Sequence, residues 1–336
     1  MTEEQQEAAR AIRERLNADR ELALKIKLDS LSAAARPSPV ARRYEEAMRQ
    51  RALPLFGDDP DTVAKDMASE NARMRKSLKS QKHIVREYLE RMSFDQNAFA
   101  DHLTRARGGQ APFSAASSSG VGLGLFYVDQ PYWGVEVSFL EGYAHTPVNY
   151  PHTQVSAPGN NRFSADLQTG RAKDATLSAR MTCTYYAMSA GNDQLSWVQV
   201  PVWVGGWAVT ALGAELGIER FSIVAVVTTV TAFTVNPDGT SAMMTSSPKN
   251  RIYQEQIRSA LAPWPAQEQN ILYGWDTQFL YPYMQLYVGA AIFVTLDVVC
   301  TVITSDPHGL AALDMPDVKG AIVSPGIWGF TEIAVP

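Results

Sequence analysis

The stretch Phe221–Val235 reads FSIVAVVTTVTAFTV, and it decides the fold. β-Branched and aromatic residues dominate it, which favours an extended strand. Strand alternation puts Phe221, Ile223, Ala225, Val227, Thr229, Thr231, Phe233 and Val235 on one face. Ser222, Val224, Val226, Thr228, Val230, Ala232 and Thr234 take the other. Neither face carries a charge over 15 residues. An unbroken strand of that length spans about 50 Å. An antiparallel sheet in water normally keeps one polar face. Leu286–Ile303 repeats the pattern, interrupted only by Asp297. Both faces of both strands therefore need cover, from helices of this chain or from a neighbouring subunit, because an open apolar surface of this extent aggregates.

Working outward, further strands are expected at Leu123–Val128, Gly134–Leu140, Ala175–Met188, Leu195–Val204, Ala321–Val323 and Trp328–Val335, punctuated by turn signals at Gly191-Asn192-Asp193 and Asn236-Pro237-Asp238-Gly239. Pro147–Asn161 reads as a polar surface excursion and Gln254–Leu261 as a short helix. Many strands with few helical stretches fit an antiparallel β-sandwich or jelly-roll-like domain over residues 125–336.

The N-terminal third has different physics. The chain carries 30 Lys+Arg against 35 Asp+Glu, a net charge of -5, yet residues 1–110 hold 21 of those cations and 18 of the acids. Residues 1–107 are thus charge-dense, and helical spacing predicts helices to about Ala35, over Val40–Ala52 and over about 61–93, with a further short one near Phe94–Arg105. Thr2 and the acids after it suit a helix start, and Asp59-Pro60-Asp61 reads as a cap. In the third helix Met67, Asn71, Met74, Leu78, Gln81, Val85, Tyr88 and Met92 are spaced alternately by four and three. A 3.5-residue repeat is a coiled-coil seam, with Asn71 and Gln81 as its polar members. The stripe fits an intermolecular coiled coil or, equally, an antiparallel bundle within the chain. The fold class is therefore segregated α+β: a helical, coiled-coil-like region, a flexible linker over 108–124, and the sandwich.

Composition excludes several classes. Cations interleaved with acids give no phosphate-binding surface, so no nucleic-acid partner is expected. Gly120, Gly122 and Gly124 lack the spacing of a phosphate loop. Trp197–Leu212 and Leu286–Ile303 are broken by Pro201, Gly205-Gly206 and Asp297 and read as buried strands, so no transmembrane segment is expected. Cys183 and Cys300, both in strands, make no disulfide framework. The acidic start is wrong for a secretory leader, so the expectation is cytoplasmic synthesis without a signal peptide, with a virion or released particle as destination.

No catalytic or metal motif emerges. His83, His102, His145, His152 and His308 form no zinc spacing, and Glu136 and Glu141 read as solvated acids. No enzymatic activity and no cofactor are expected. Aromatics cluster instead: eight fall within Tyr253–Tyr287, among them Tyr253, Trp264, Tyr273, Trp275, Tyr281 and Tyr283. They suit a ligand or interface platform, or the packed core of an irregular loop marked by Pro263, Pro265 and Pro282. The sequence points first to a self-associating structural subunit of an oligomeric particle, such as a viral capsid, tail or fibre component, alone or with other assembly subunits. Two alternatives stand beside it. One is a membrane-acting, pore-forming toxin in which Trp197–Leu212 forms a membrane-contacting hairpin. The other is a carbohydrate- or receptor-binding module using the aromatic cluster.

Overall fold

In a computed structural model the chain is described over residues 1–35, 39–52, 54, 59–91, 124–128, 131–141, 154–159, 162–169, 175–189, 191–214, 220–259, 265–305, 310–315, 322–323 and 327–333. Three helices come first: α1 (Glu3–Ala35), α2 (Pro39–Ala52) and α3 (Pro60–Arg91). The strands are β1 (Gly124–Val128), β2 (Val135–Glu141), β3 (Gln154–Gly159), β4 (Arg162–Gln168), β5 (Ala175–Met188), β6 (Asp193–Leu212), β7 (Arg220–Val235), β8 (Ser241–Ser246), β9 (Asn250–Ser259), β10 (Ala266–Leu280), β11 (Met284–Gln285), β12 (Ala291–Thr304), β13 (Leu310–Met315), β14 (Ile322–Val323) and β15 (Ile327–Ile333).

The strands form two antiparallel sheets packed face to face, an N-terminal helical region followed by a β-sandwich. In the larger sheet the 20-residue β6 is the spine. One edge of it pairs with β10 and β11, the other with β15, β14 and β13 in succession. In the smaller sheet the order is β2-β5-β12-β7, and β7 pairs at its far edge first with β9 and then with β8. The quoted stretch is thus an interior strand. Its even positions Val224, Val226, Val230 and Ala232 enter the core with Ile292, Val294, Leu296, Val298, Cys300 and Val302 of β12. They meet Val198, Val200, Val202 and Val204 of β6 across the sandwich. Burial pushes both thiols, Cys183 and Cys300, above their usual range.

The chain's own helices cover part of the second faces: Phe233 and Val235 of β7 are buried under α1, while Phe221, Ile223, Ala225, Val227 and Thr229 are half-buried. On the smaller sheet, α1 lays Ala8, Ala9, Ile12 and Leu16 over Phe233, Val235, Ala291 and Phe293. On the larger sheet, α3 lays Met74, Leu78 and Val85 over Trp207, Val209 and Ala211. A neighbouring subunit is therefore not needed to shield the two ribbons where α1 lies on them. The helix starts are locally encoded. Thr2 and Gln5 form a reciprocal capping box: the Thr2 amide donates to Gln5 Oε1 at 2.9 Å and the Gln5 amide to Thr2 Oγ1 at 3.2 Å. Asp59 Oδ1 accepts from the amides of Asp61 and Thr62, as the Asp-Pro-Asp signal predicts; the Thr62 hydroxyl, which donates to Oδ2, and then these amides hold its carboxyl below the usual range.

The 3.5-residue stripe has a different partner from the one its spacing suggests. Asn71, Met74, Leu78, Gln81 and Val85 face the chain's own larger sheet rather than a second coil or a helical bundle. Asn71 Nδ2 donates to the Ala214 carbonyl at 3.1 Å, and the Ala214 amide donates to Asn71 Oδ1 at 2.6 Å. Gln81 Oε1 accepts from Gln269 Nε2 at 2.8 Å. The polar members of the stripe exist to meet the sheet. Met67 is half-buried, Tyr88 is 43% exposed, and Met92 lies outside the described residues, as do 94–105 and most of 108–124. Replacing Asn71 by Ala leaves an amide and a carbonyl of Ala214 buried and unpaired. We expect a loss of about 1–3 kcal/mol, read by urea denaturation, with an unchanged far-UV spectrum.

Three other expectations are corrected. Residues 250–259 form β9 rather than a helix, because β7 needs a hydrogen-bonding partner along Arg220–Thr228, and that need overrides local helix propensity. The segment after Pro265 is the regular strand β10, not an irregular loop. Part of the supposed surface excursion, Gln154–Gly159, pairs with β4 as β3. The strands β4, β8 and β13 have no counterpart among the expected strands.

Candidate functional site

Each described side chain offered as a candidate falls in one of three places. Tyr253 is half-buried on β9 and its hydroxyl accepts from Asn270 Nδ2 at 2.9 Å, so it braces β9 against β10. Burial raises its phenol and that hydrogen bond partly offsets the rise. Tyr273 and Trp275 lie on β10 at the register positions of Gly205 and Trp203. Trp264 lies outside the described residues. Tyr281 and Tyr283 are exposed, at 57% and 61%.

Those two belong to a longer row. From the end of β10 through β11 the chain reads Phe279-Leu-Tyr-Pro-Tyr-Met-Gln-Leu-Tyr287. Leu280, Met284 and Leu286 point into the sandwich core. The intervening Phe279, Tyr281, Tyr283, Gln285 and Tyr287 are exposed. Four aromatic rings at every second or fourth position are thus exposed along this segment. Phe279 and Tyr281 stack with centroids 6.4 Å apart and planes only 10° from parallel. Tyr283 holds a left-handed φ of 48°, an outlier for a bulky side chain. Amide groups border the row: Gln194 Nε2 donates to the Tyr283 carbonyl at 3.4 Å, and Gln285 Nε2 to the Asp193 carbonyl at 3.2 Å. Val288, at 60%, extends the apolar surface past Tyr287. Phe279 and Tyr287 belong to the eight aromatics that composition counts in this segment, and the bordering amides are the members that composition does not single out. The sequence signal for the row is the every-second-residue spacing of Phe279, Tyr281 and Tyr283.

A second concentration of chemistry lies beneath α1. Asp297, the single charge in the apolar ribbon, is 3% exposed, and its Oδ1 accepts from Arg180 Nε at 2.9 Å, Arg180 Nη2 at 2.8 Å and Thr182 Oγ1 at 2.7 Å. Arg20 of α1 forms an ion pair with its Oδ2. Burial draws the Arg20 guanidinium below its usual range, while Asp297 pulls it back up. Arg180 also reaches Asn17 Oδ1 at 3.0 Å. Arg13 pairs with Glu136 and sits 4.5 Å over the Trp133 ring, and Asn17 Nδ2 donates to Glu136 Oε2 at 2.8 Å. Glu136 is therefore tied to α1 rather than solvated. Every partner is spent within the chain, which makes this a docking network.

The expected membrane hairpin is not a hairpin. Trp197–Leu212 runs through the centre of the larger sheet, with Trp203 and Trp207 only 6% and 3% exposed, because β6 has strands on both edges. No helix among the described residues is long and apolar enough to cross a membrane. Among the same residues no group of three or more His, Cys, Asp or Glu is placed to hold a metal ion.

No protein-family model matches the chain, and no curated protein matches it in sequence. Among solved structures it is similar to carbohydrate-binding modules from the β-sandwich superfamily, at 7% identity and a TM-score of 0.18, over 58% of this chain and 55% of that one. It is also similar to the enzymatically active domain of tailspike protein 4 from Bacteriophage CBA120, at 11% identity and a TM-score of 0.18, over 62% of this chain and 19% of that one. A third is a mannan-recognising carbohydrate-binding module, at 10% identity and a TM-score of 0.19, over 63% and 99%. The chain thus matches about half of the first of these and a fifth of the second.

Proposed function

We propose that this chain is a non-enzymatic binding module that holds a saccharide on the row Phe279–Tyr287. The observation that carries the reading is the row itself: four aromatic rings in solvent within nine residues, at 49%, 57%, 61% and 52%. A ring face accepts the apolar C–H face of a sugar, and bordering amides pair with its hydroxyls. The near-parallel rings of Phe279 and Tyr281 suit a flat ligand face. Strain at Tyr283 supports the reading too, since strained backbone is retained where it serves a ligand site.

The test is affinity electrophoresis in native gels containing soluble β-glucan, mannan, xylan or galactan. The full chain is expected to be retarded by at least one, and Tyr281→Ala and Tyr283→Gly to abolish the retardation. Glycine takes the left-handed region freely, so Tyr283→Gly is expected to raise stability by about 1 kcal/mol while losing binding. Unretarded migration of the full chain in all four gels contradicts the proposal.

A second reading is a structural subunit of a virion or released particle, made in the cytoplasm, in which the same row packs against a neighbouring subunit. Its support is that the row ends in Val288, which is 60% exposed and has no ring to stack on a sugar. Under this reading the two substitutions shift the sedimentation of the full chain and leave electrophoresis unaffected.

A further inference from the structure

The outer face of the smaller sheet is built to receive one particular helix. Register aligns three rows across β5, β12 and β7: Tyr186–Phe293–Phe233, Thr184–Thr295–Thr231 and Thr182–Asp297–Thr229. α1 answers them in turn, with Ala9 and Ile12 against the aromatic row, Arg20 donating to Thr231, and Arg20 on Asp297. Charge is complementary as well, Arg13 and Arg20 of the helix meeting Glu136 and Asp297 of the sheet. A buried ion pair adds little stability over an apolar equivalent, and its best-attested use is to fix register and partner.

Three observations leave open which copy supplies the helix. The apolar clusters among the described residues join α1 to one sheet and α3 to the other, and none joins α1 to α3. Residues 92–123 separate α3 from β1, a tether of up to about 105 Å. Each helix also leaves an apolar i,i+4 pair in water: Leu22 and Ile26 at 58% and 60%, Val40 and Tyr44 at 75% and 60%, Ile84 and Tyr88 at 63% and 43%. A monomer leaves each of these pairs uncovered.

We propose that the helical arm, residues 3–91, is exchangeable, docking on the sandwich of a second copy of this chain through the same contacts that it makes on its own. Reciprocal exchange closes a two-fold dimer without any new interface chemistry. The choice between own and partner sandwich is set by protein concentration against the effective concentration that the tether imposes. The exposed apolar pairs are the surfaces left to meet where two arms run side by side. This inference is independent of saccharide binding.

The test uses two full chains, one carrying Asn17→Cys and the other Glu136→Cys, whose native side chains are 2.8 Å apart. The native cysteines are fully buried and do not compete. Co-expressed and oxidised, the pair is expected to give a reducible covalent dimer of about twice the 36.9 kDa monomer mass. Both substitutions in one chain provide the control, an intrachain lock. A locked control with no covalent dimer from the pair overturns the proposal. Should the control fail to lock, charge exchange decides. Chains carrying Arg13→Glu and Glu136→Arg are mismatched alone but matched in both halves of an exchanged dimer. Light scattering of the co-expressed pair is expected to show a dimer absent from either chain alone, and a mixture that stays monomeric overturns the proposal.

Discussion

Replacing Asp297 by Ala is expected to lower the unfolding free energy by about 3–5 kcal/mol, the cost of leaving buried charge without its partner. Arg180 is 3% exposed and loses both of its carboxylate hydrogen bonds, and Arg20 loses its ion pair in the same stroke. Thr182 loses the acceptor of its hydroxyl as well. Folded domains are stable by only about 5–15 kcal/mol, so this single change takes a large share. The complementary experiment separates charge from packing. Arg20→Met, Arg180→Met and Asp297→Leu combined replace the network with apolar volume, and such replacements are commonly neutral or stabilising by about 1–4 kcal/mol. Urea denaturation of the two variants is expected to move the midpoint in opposite directions, or to move it only for the single substitution. A single substitution that costs under 1 kcal/mol contradicts the network as described.

The second large effect belongs to Phe293→Ala. Phe293 is fully buried between α1 and the sheet, stacked on Phe233 at 5.0 Å and 13° and on Trp133 at 5.4 Å and 11°. Truncating a buried phenylalanine costs about 3–5 kcal/mol through lost transfer energy and the remaining cavity. Phe293 shares its apolar cluster with Ala9, Ile12 and Leu16 of α1, so part of the cost falls on the seating of the helix. Two readouts are expected together: a lower denaturation midpoint, and faster tryptic cleavage after Arg10, Arg13 and Arg15 of α1. A lower midpoint with unchanged α1 cleavage contradicts the placement of the helix over this ring.

How much of this was written in the sequence depends on whether the signal is local. The strand Arg220–Val235 and its turn at Asn236-Pro237-Asp238-Gly239 are legible because period-two apolar alternation and a left-handed Gly239, at φ 80°, are local properties. So are the three helices, the Asp59 cap and Ala175–Met188. The missing wet side of the ribbon correctly announced a cover, but periodicity carries no information about which chain provides it. The 3.5-residue stripe shows the same limit. A helix with apolar side chains at alternate spacings of four and three fits a second helix or a flat sheet, and tertiary contacts such as Asn71 with the Ala214 backbone and Gln81 with Gln269 distinguish them. β9 was misread because Gln254–Leu261 favours a helix locally, while its conformation is set by hydrogen bonding to a strand about 30 residues away in sequence. The candidate row was half visible: aromatic abundance pointed to Tyr253–Tyr287, but abundance does not separate Tyr253, which braces the sheets, from Tyr281, which faces water.

The account rests on one division of the surface, between ribbons shielded by the chain's own helices and an aromatic row left open. Hydroxyl-radical footprinting with mass spectrometry, on dilute full-length chain shown to be monomeric, tests it most directly. The account predicts that Phe233, Phe293, Trp203 and Trp207 stay protected while Phe279, Tyr281, Tyr283 and Tyr287 are labelled heavily. Labelling of Phe233 and Phe293 in the monomer, or protection of the Phe279–Tyr287 row, would contradict it.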